Sequence, residues 1–253
     1  MIDLLLIGIG TGNPDHLTLQ AVKALNSADL VLIPRKGPDK SDLADLRRSI
    51  CAEVLTNPAT RIVEFDLPVR DVATRDYRAG VDDWHGAIAR AWSKSIIANL
   101  GLAGRVALLV WGDPSLYDST LRIAARVAAT LPLHVTVIPG ITAIQALAAA
   151  HAMPLNTVAG PVHITTGRRL RDHGWPESAE TLVLMLDGNC AFQTLDPKGI
   201  FIWWGAYVGM KQQIIRAGKL AEVSADIIAT RATARAAHGW IMDIYILRRD
   251  GFA

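Results

Sequence analysis

Three glycine-containing turns hold the residues of this sequence that are best suited to chemistry. They are Gly8-Ile9-Gly10-Thr11-Gly12-Asn13-Pro14, Trp111-Gly112-Asp113-Pro114-Ser115-Leu116-Tyr117-Asp118, and Ile138-Pro139-Gly140-Ile141-Thr142-Ala143. Glycine lets a backbone turn tightly and approach a ligand, because no Cβ stands in the way. Asp113 and Tyr117 add a carboxylate and a phenol to the second turn. Taken singly, each turn is also what an ordinary β-turn or helix cap looks like. The first suggests the dinucleotide fingerprint G-x-G-x-x-G, yet its third glycine position is Asn13, and Pro14 delays the helix that should receive a pyrophosphate. That break argues against a nicotinamide-dependent reductase. The seven histidines lack metal-ligand spacing, and Cys51 and Cys190 join no cluster, so no metal site is expected.

Turns of this kind need strands to carry them. Short runs rich in Val, Ile and Leu alternate with longer stretches at helical period, the pattern of βα architecture. Strands are expected at 4–9, 30–33 (halted by Pro34), 61–65 and 106–111. Helices are expected from Leu17 to Ala28, over 43–54, and over the stretch marked by Tyr77, Val81, Trp84, Ile88, Ala91, Trp92 and Ile96. After the 112–119 loop a helix over 121–131 and a strand over 134–138 follow, and Pro139-Gly140 opens another helix. Later strands are expected at 162–165, 181–186, 200–204 and 241–247, the last as an antiparallel member of its sheet. This reading gives two α/β domains, 1–117 and 118–253, each a mainly parallel or mixed sheet flanked by helices.

Read together, the motifs carry a resemblance. Gly-x-Gly-x-Gly-x-Pro-x-x-Leu-Thr at the start, then Gly-Asp-Pro-x-x-Tyr, then Pro-Gly-Ile-Thr-Ala before an Ala-rich helix ending His151-Ala152-Met153-Pro154-Leu155, resemble the tetrapyrrole methylases. That family includes methyltransferases of cobalamin synthesis, uroporphyrinogen methyltransferase and diphthine synthase. The segments Gly10–Thr18, Trp111–Asp118 and Gly239–Tyr245 are most similar to members that methylate a ring carbon of precorrin-5 and release acetate.

The resemblance implies S-adenosylmethionine as cofactor, held in a cleft between the two domains. It places Thr11, Trp111, Gly112, Asp113, Leu116, Thr142, Ala143, Leu186 and Tyr207 around that cofactor. The implied release of acetate favours a general base for proton transfer. Asp113 and Tyr117 are the catalytic candidates, with His16, Asp187, His238 and Asp243 as further polar residues in or near the matched loops. Thr11 stands where most relatives carry proline, which would turn a hydroxyl toward the ligand. Tyr207 stands where a small residue is usual. A substrate with many carboxylate arms needs cations, for which Arg168, Arg169 and Arg171 are better placed than Arg35 and Lys36, whose alternative is solvated surface charge. A homodimer is implied too, with Trp203-Trp204 as either interface or core. Two alternatives stay open. One is a methyltransferase of this fold acting on another corrinoid or a non-tetrapyrrole substrate, and the other is a non-catalytic tetrapyrrole carrier.

Bulk properties narrow the classes. The 253 residues are 51% hydrophobic, enough for filled cores, and no apolar run approaches the roughly 20 residues of a membrane span. Lys and Arg number 26 against 24 Asp and Glu, a net charge of +2 with no basic stripe for nucleic acid. Asp3 follows Met1-Ile2 with no basic n-region or cleavage site, so a cytoplasmic location is expected.

Overall fold

A computed structural model describes residues 1–35, 42–69 and 77–249. They divide into two compact units, Met1–Ile141 and Thr142–Ala253. In the first unit the chain runs β1 (Ile2–Gly8), α1 (Leu19–Asn26), β2 (Leu30–Arg35), α2 (Asp42–Val54), β3 (Arg61–Asp66), α3 (Tyr77–Leu100), β4 (Gly104–Val110), α4 (Thr120–Ala128) and β5 (Leu133–Ile138). The five strands form one sheet in the order β3-β2-β4-β1-β5, and every pairing is parallel.

A parallel sheet is covered on both faces, so its strands read as unbroken apolar runs. Side chains alternate between the faces. Leu4, Leu6, Leu30, Leu32, Val106 and Leu108 pack with Trp92, Ile96, Ile123 and Val127 of α3 and α4. Leu5, Ile7, Val31, Ile33, Ala107 and Leu109 pack with Ala21, Leu25, Ile50 and Cys51 of α1 and α2.

Two sequence expectations change here. The division expected at 117/118 falls at 141/142, because β5 lies beside β1, with Ile2 to Ile7 in register with Leu133 to Ile138. The α4–β5 segment therefore completes the first sheet. The strand expected to halt at Pro34 continues to Arg35, paired with β3 through Pro34 and Phe65. Pairing of β2 with β4 stops at Leu32 and Leu108, so proline's missing N–H falls where no ladder bond is made. The expected loop at 36–41, with Lys36, and the side chain of Tyr77 lie outside the described residues.

The second unit contains α5 (Ala143–Ala150), β6 (Val162–Thr166), α6 (Gly167–His173), β7 (Thr181–Met185), β8 (Ile200–Ala206), β9 (Ile214–Lys219), α7 (Leu220–His238) and β10 (Asp243–Arg249). Its sheet has the order β6-β7-β10-β8-β9. β6 and β7 are parallel, whereas β10 is antiparallel to both β7 and β8. Hence β6, β7 and β8 all point the same way. The antiparallel last strand was expected; α6, β9 and α7 were not. Leu182, Leu184, Ile202, Trp204, Tyr245 and Leu247 build the core with Phe192 and with Leu220, Ile227 and Ala234 of α7. Trp204 is fully buried and so belongs to the core. Among the described residues, no helix is long and apolar enough to cross a membrane.

Candidate functional site

In the first unit the three turns emerge at the carboxyl ends of the neighbouring strands β4, β1 and β5. That end of a parallel sheet is where α/β proteins bind ligands. The turns are joined backbone to backbone. Gly10 and Gly112 exchange both main-chain hydrogen bonds, at 3.2 and 2.8 Å. Gly8, Gly112 and Gly140 meet so closely that a Cβ on Gly8 would lie 2.6 Å from the Gly140 nitrogen. One on Gly140 would lie 2.1 Å from the Gly112 oxygen. Gly112 itself has φ +64°, and no atom lies within 4 Å of where its Cβ would point. The junction is thus closed underneath by glycine backbone and open above Gly112.

Asp113 clamps this junction. Its Oδ2 accepts a 2.9 Å hydrogen bond from the Gly140 N–H, and its Oδ1 accepts from the Ser115 N–H (2.8 Å) and hydroxyl (2.5 Å). Burial by itself would raise its pKa, but the bonds from Ser115 and Gly140 outweigh that and hold the carboxyl below its usual value. Both oxygens are engaged and the proton affinity is low, which describes a brace better than a proton acceptor. Leu116 continues the turn, its N–H bonded to the Asp113 carbonyl at 3.2 Å. Tyr117 follows at φ 49° with its side chain exposed, a backbone region that non-glycine residues seldom enter. Trp111 packs under the first turn, where a Cβ on Gly12 would meet its ring at 2.9 Å.

Thr11 departs from expectation. It is buried, and its hydroxyl lies 3.0 Å from His16 Nδ1. The extra polar group is spent inside the turn rather than turned toward a ligand, and it engages His16 at the same time.

In the second unit, Thr142 caps α5: its Oγ1 accepts from the Ile144 N–H at 3.2 Å, and Gln145 accepts from the Thr142 N–H at 3.1 Å. This capping box fixes where Ala143 begins the helix. Leu186 follows β7 directly, at φ 54° and 67% exposed. An L-residue pays ~1–2 kcal/mol for a left-handed backbone, and here an apolar side chain also remains in water.

Tyr207 follows β8 in the same way, at φ 51°. Its side chain, however, turns into the core. The ring is buried, packed edge-on against His238 and Trp240, and its hydroxyl donates to the Trp240 carbonyl at 2.5 Å. Burial, with Asp243 adding to it, pushes the phenol's pKa up. The ring expected beside the cofactor is thus packed into the core of the second unit, with its backbone in the strand-end turn.

Two further proton-transfer candidates, Asp187 and Asp243, are engaged by hydrogen bonds. Asp187 accepts from the Tyr245 hydroxyl (2.6 Å) and from the Ala191 and Asn189 N–H groups (2.6 and 3.1 Å). Asp243 receives Arg231 Nε at 2.8 Å and Trp204 Nε1 at 3.1 Å. Arg35 pairs with Asp66 at 2.9 Å, which matches the solvated-charge alternative. Arg168, Arg169 and Arg171 are exposed on α6, which starts at the carboxyl end of β6. That is also the end of the sheet where Leu186 and Tyr207 stand. The sequence reading missed Gly8 and Gly140 as parts of the junction, although both glycines lie inside the quoted turns. Among the described residues no cluster could hold a metal ion.

Comparison with known proteins places this geometry in context. Residues 3–224 match the family model of the tetrapyrrole (corrin/porphyrin) methylases. The chain is 51% identical over 251 residues to the precorrin-6A synthase [deacetylating] of Sinorhizobium sp, an alignment spanning 98% of this chain and 96% of that one. A crystal structure of a cobalamin synthesis related protein (CobF) from Corynebacterium diphtheriae superposes with a TM-score of 0.84 at 39% identity, covering 98% and 99% of the two chains. The uroporphyrin-III C-methyltransferase of Thermus thermophilus, solved with S-adenosyl homocysteine, has the same fold at TM-score 0.56 and 18% identity, over 97% of each chain.

Proposed function

The chain belongs to the tetrapyrrole (corrin/porphyrin) methylases, and from that membership we propose that it is an S-adenosylmethionine-dependent C-methyltransferase converting precorrin-5 to precorrin-6A with release of acetate. The observation that carries the reading is the glycine junction in a chain half identical, end to end, to a deacetylating precorrin-6A synthase. The residues fit an adenosyl cofactor: glycine backbone forms a floor, and a Cβ on Gly112 would project into open space. Bound there, the cofactor supplies an electrophilic methyl group on a sulfonium whose neutral thioether leaves readily.

Such a reaction asks little acid–base help of the protein, and what matters is alignment and exclusion of water. Gly112, Leu116, Thr142, Ala143 and Leu186 are the proposed cofactor surroundings, with Tyr207 contributing backbone alone. Asp113 holds the Gly112 and Gly140 turns together and is proposed as a positioning residue. Tyr117 faces solvent beside that turn and stays the proposed catalytic residue for the step that removes the acetyl group. Loss of acetate breaks a carbon–carbon bond as water adds to the acetyl carbonyl, leaving the electron pair on the ring and a proton for a base to take. Arg168, Arg169 and Arg171 are proposed to grip carboxylate arms of the substrate. A dimeric state is proposed by likeness to the family.

The test is incubation with precorrin-5 and methyl-labelled cofactor, with mass analysis of product and acetate. Labelled product with stoichiometric acetate supports both halves. Labelled product without acetate moves the enzyme to another corrinoid step. No label despite cofactor binding favours the carrier alternative.

A further inference from the structure

We propose that Asp187, Tyr245, Arg231 and Asp243 form a positioning device that fixes the Leu186–Asp187 peptide in the geometry an S-adenosyl ligand contacts, a proposal that rests on the methyltransferase reading above. Leu186 combines a left-handed backbone with an exposed apolar side chain. Such a residue persists only where its surroundings over-determine it. Here they do so from several directions.

The Asp187 carboxylate takes three hydrogen bonds, from Tyr245 on β10 and from the Asn189 and Ala191 amides of the following turn. Its carbonyl, the next after Leu186, accepts from Arg231 Nη2 on α7 at 3.1 Å. Arg231 is itself held by both oxygens of Asp243, at 2.8 and 3.3 Å. Trp204 on β8 donates to the same carboxylate. Gly167 completes the fit, since a Cβ there would lie 2.2 Å from Asp187 Cγ. One network therefore ties β7, β8, β10 and α7 at the sheet end that carries Leu186 and Tyr207.

The chemistry is costly for a merely structural role. Side chains of Arg231 and Asp243 are only 11% and 7% exposed, and a buried ion pair is commonly no more stabilising than apolar residues of similar volume. What such a pair supplies is a fixed geometry. Leu186 is the feature it fixes: an apolar surface and an adjoining peptide presented outward at the carboxyl end of a strand.

Tyr245→Phe removes one hydroxyl and leaves the ring edge-on to Phe192. Loosening the brace is expected to raise the Kd for S-adenosyl homocysteine about tenfold, as losing one hydrogen bond to a charged group does. In turnover the effect falls on the cofactor KM rather than kcat. Arg231→Lys, which keeps the charge but lacks the fork that reaches both Asp243 and the Asp187 carbonyl, repeats the test from α7. A glycine at 186 needs no brace, so in a Leu186→Gly background Tyr245→Phe should change Kd by less than about twofold. An equal effect in both backgrounds, or none in the native background, overturns the positioning role. Wild-type protein that binds no S-adenosyl homocysteine overturns the methyltransferase reading, and this proposal with it.

Discussion

Gly140→Ala offers the sharpest test of the glycine junction. The added Cβ would sit 2.1 Å from the Gly112 carbonyl oxygen, 2.8 Å from the Gly8 carbonyl carbon and 2.9 Å from the Gly8 Cα. An ordinary carbon–oxygen contact is about 3.3 Å or longer, so the turns must part by roughly 1 Å. All three obstacles are backbone, and no rotamer change relieves them. Overpacking costs about 1–3 kcal/mol where side chains can yield, and this site belongs at the upper end, near 3 kcal/mol. For a chain of this size that corresponds to a fall in Tm of about 6–12 °C. The displacement also stretches the Gly140–Asp113 bond, so affinity for S-adenosyl homocysteine should fall as well. Gly112→Ala is the contrasting variant. Its Cβ meets nothing, so only the left-handed backbone is penalised, at about 1–2 kcal/mol, yet that Cβ occupies the space assigned to the ligand. Thermal unfolding of the ligand-free proteins and calorimetric titration with S-adenosyl homocysteine separate the two. Gly140→Ala should lose mainly stability, and Gly112→Ala mainly affinity. A Gly140→Ala protein that melts within 2 °C of wild type and binds equally well would refute the reasoning.

Asp113→Asn should lower stability by about 1 kcal/mol, since the bonds it weakens are charge-assisted but only part-buried. Because the folded carboxyl is held below its usual value, that contribution is fully present above its unfolded pKa of about 3.9 and is lost as pH falls through the folded value. The difference between variant and wild type in denaturant midpoint should accordingly stay flat from pH 5 to 8 and close in stronger acid. Tyr207→Phe should cost about 1–2 kcal/mol in thermal unfolding, by leaving the Trp240 carbonyl without its donor. It should leave the Kd for S-adenosyl homocysteine unchanged. Cys51 and Cys190 are buried, and burial pushes each thiol up to about 11, so neither should react with a thiol reagent at pH 8 until the protein unfolds.

The parts of the molecule legible in the sequence are those where a local requirement selects the residue. The three turns could be read because glycine, proline and a capping threonine answer to backbone conformation, which neighbouring residues alone determine. The strand ends before them were legible for a similar reason, since a strand buried on both faces leaves an unbroken apolar run. What could not be read depends on partners far along the chain. The Leu133–Ile138 strand was assigned to the wrong unit because its neighbour is β1, and nothing local distinguishes that edge from a place in the second sheet. Helix α7 was missed because its buried residues, Leu220, Ile227 and Ala234, recur at seven-residue spacing and leave a seam too narrow to register as an amphipathic face. β9 has no buried residue, as an edge strand paired on one side need not. Tyr207 shows the same limit within the site. Its place after a strand end was visible, whereas the pocket that swallows its ring is built by His238 and Trp240, more than thirty residues away. Three of the residues singled out by likeness, Tyr117, Leu186 and Tyr207, are non-glycine residues held at positive φ. Each closes or follows a strand-end turn and pays a conformational penalty that glycine would avoid. Two pressures therefore act on these positions: the turn asks for a left-handed residue, and something beyond the turn asks for a side chain. For Tyr207 the second demand is the core. For Leu186, whose side chain touches solvent, folding provides no such demand, and the cofactor contact proposed above would.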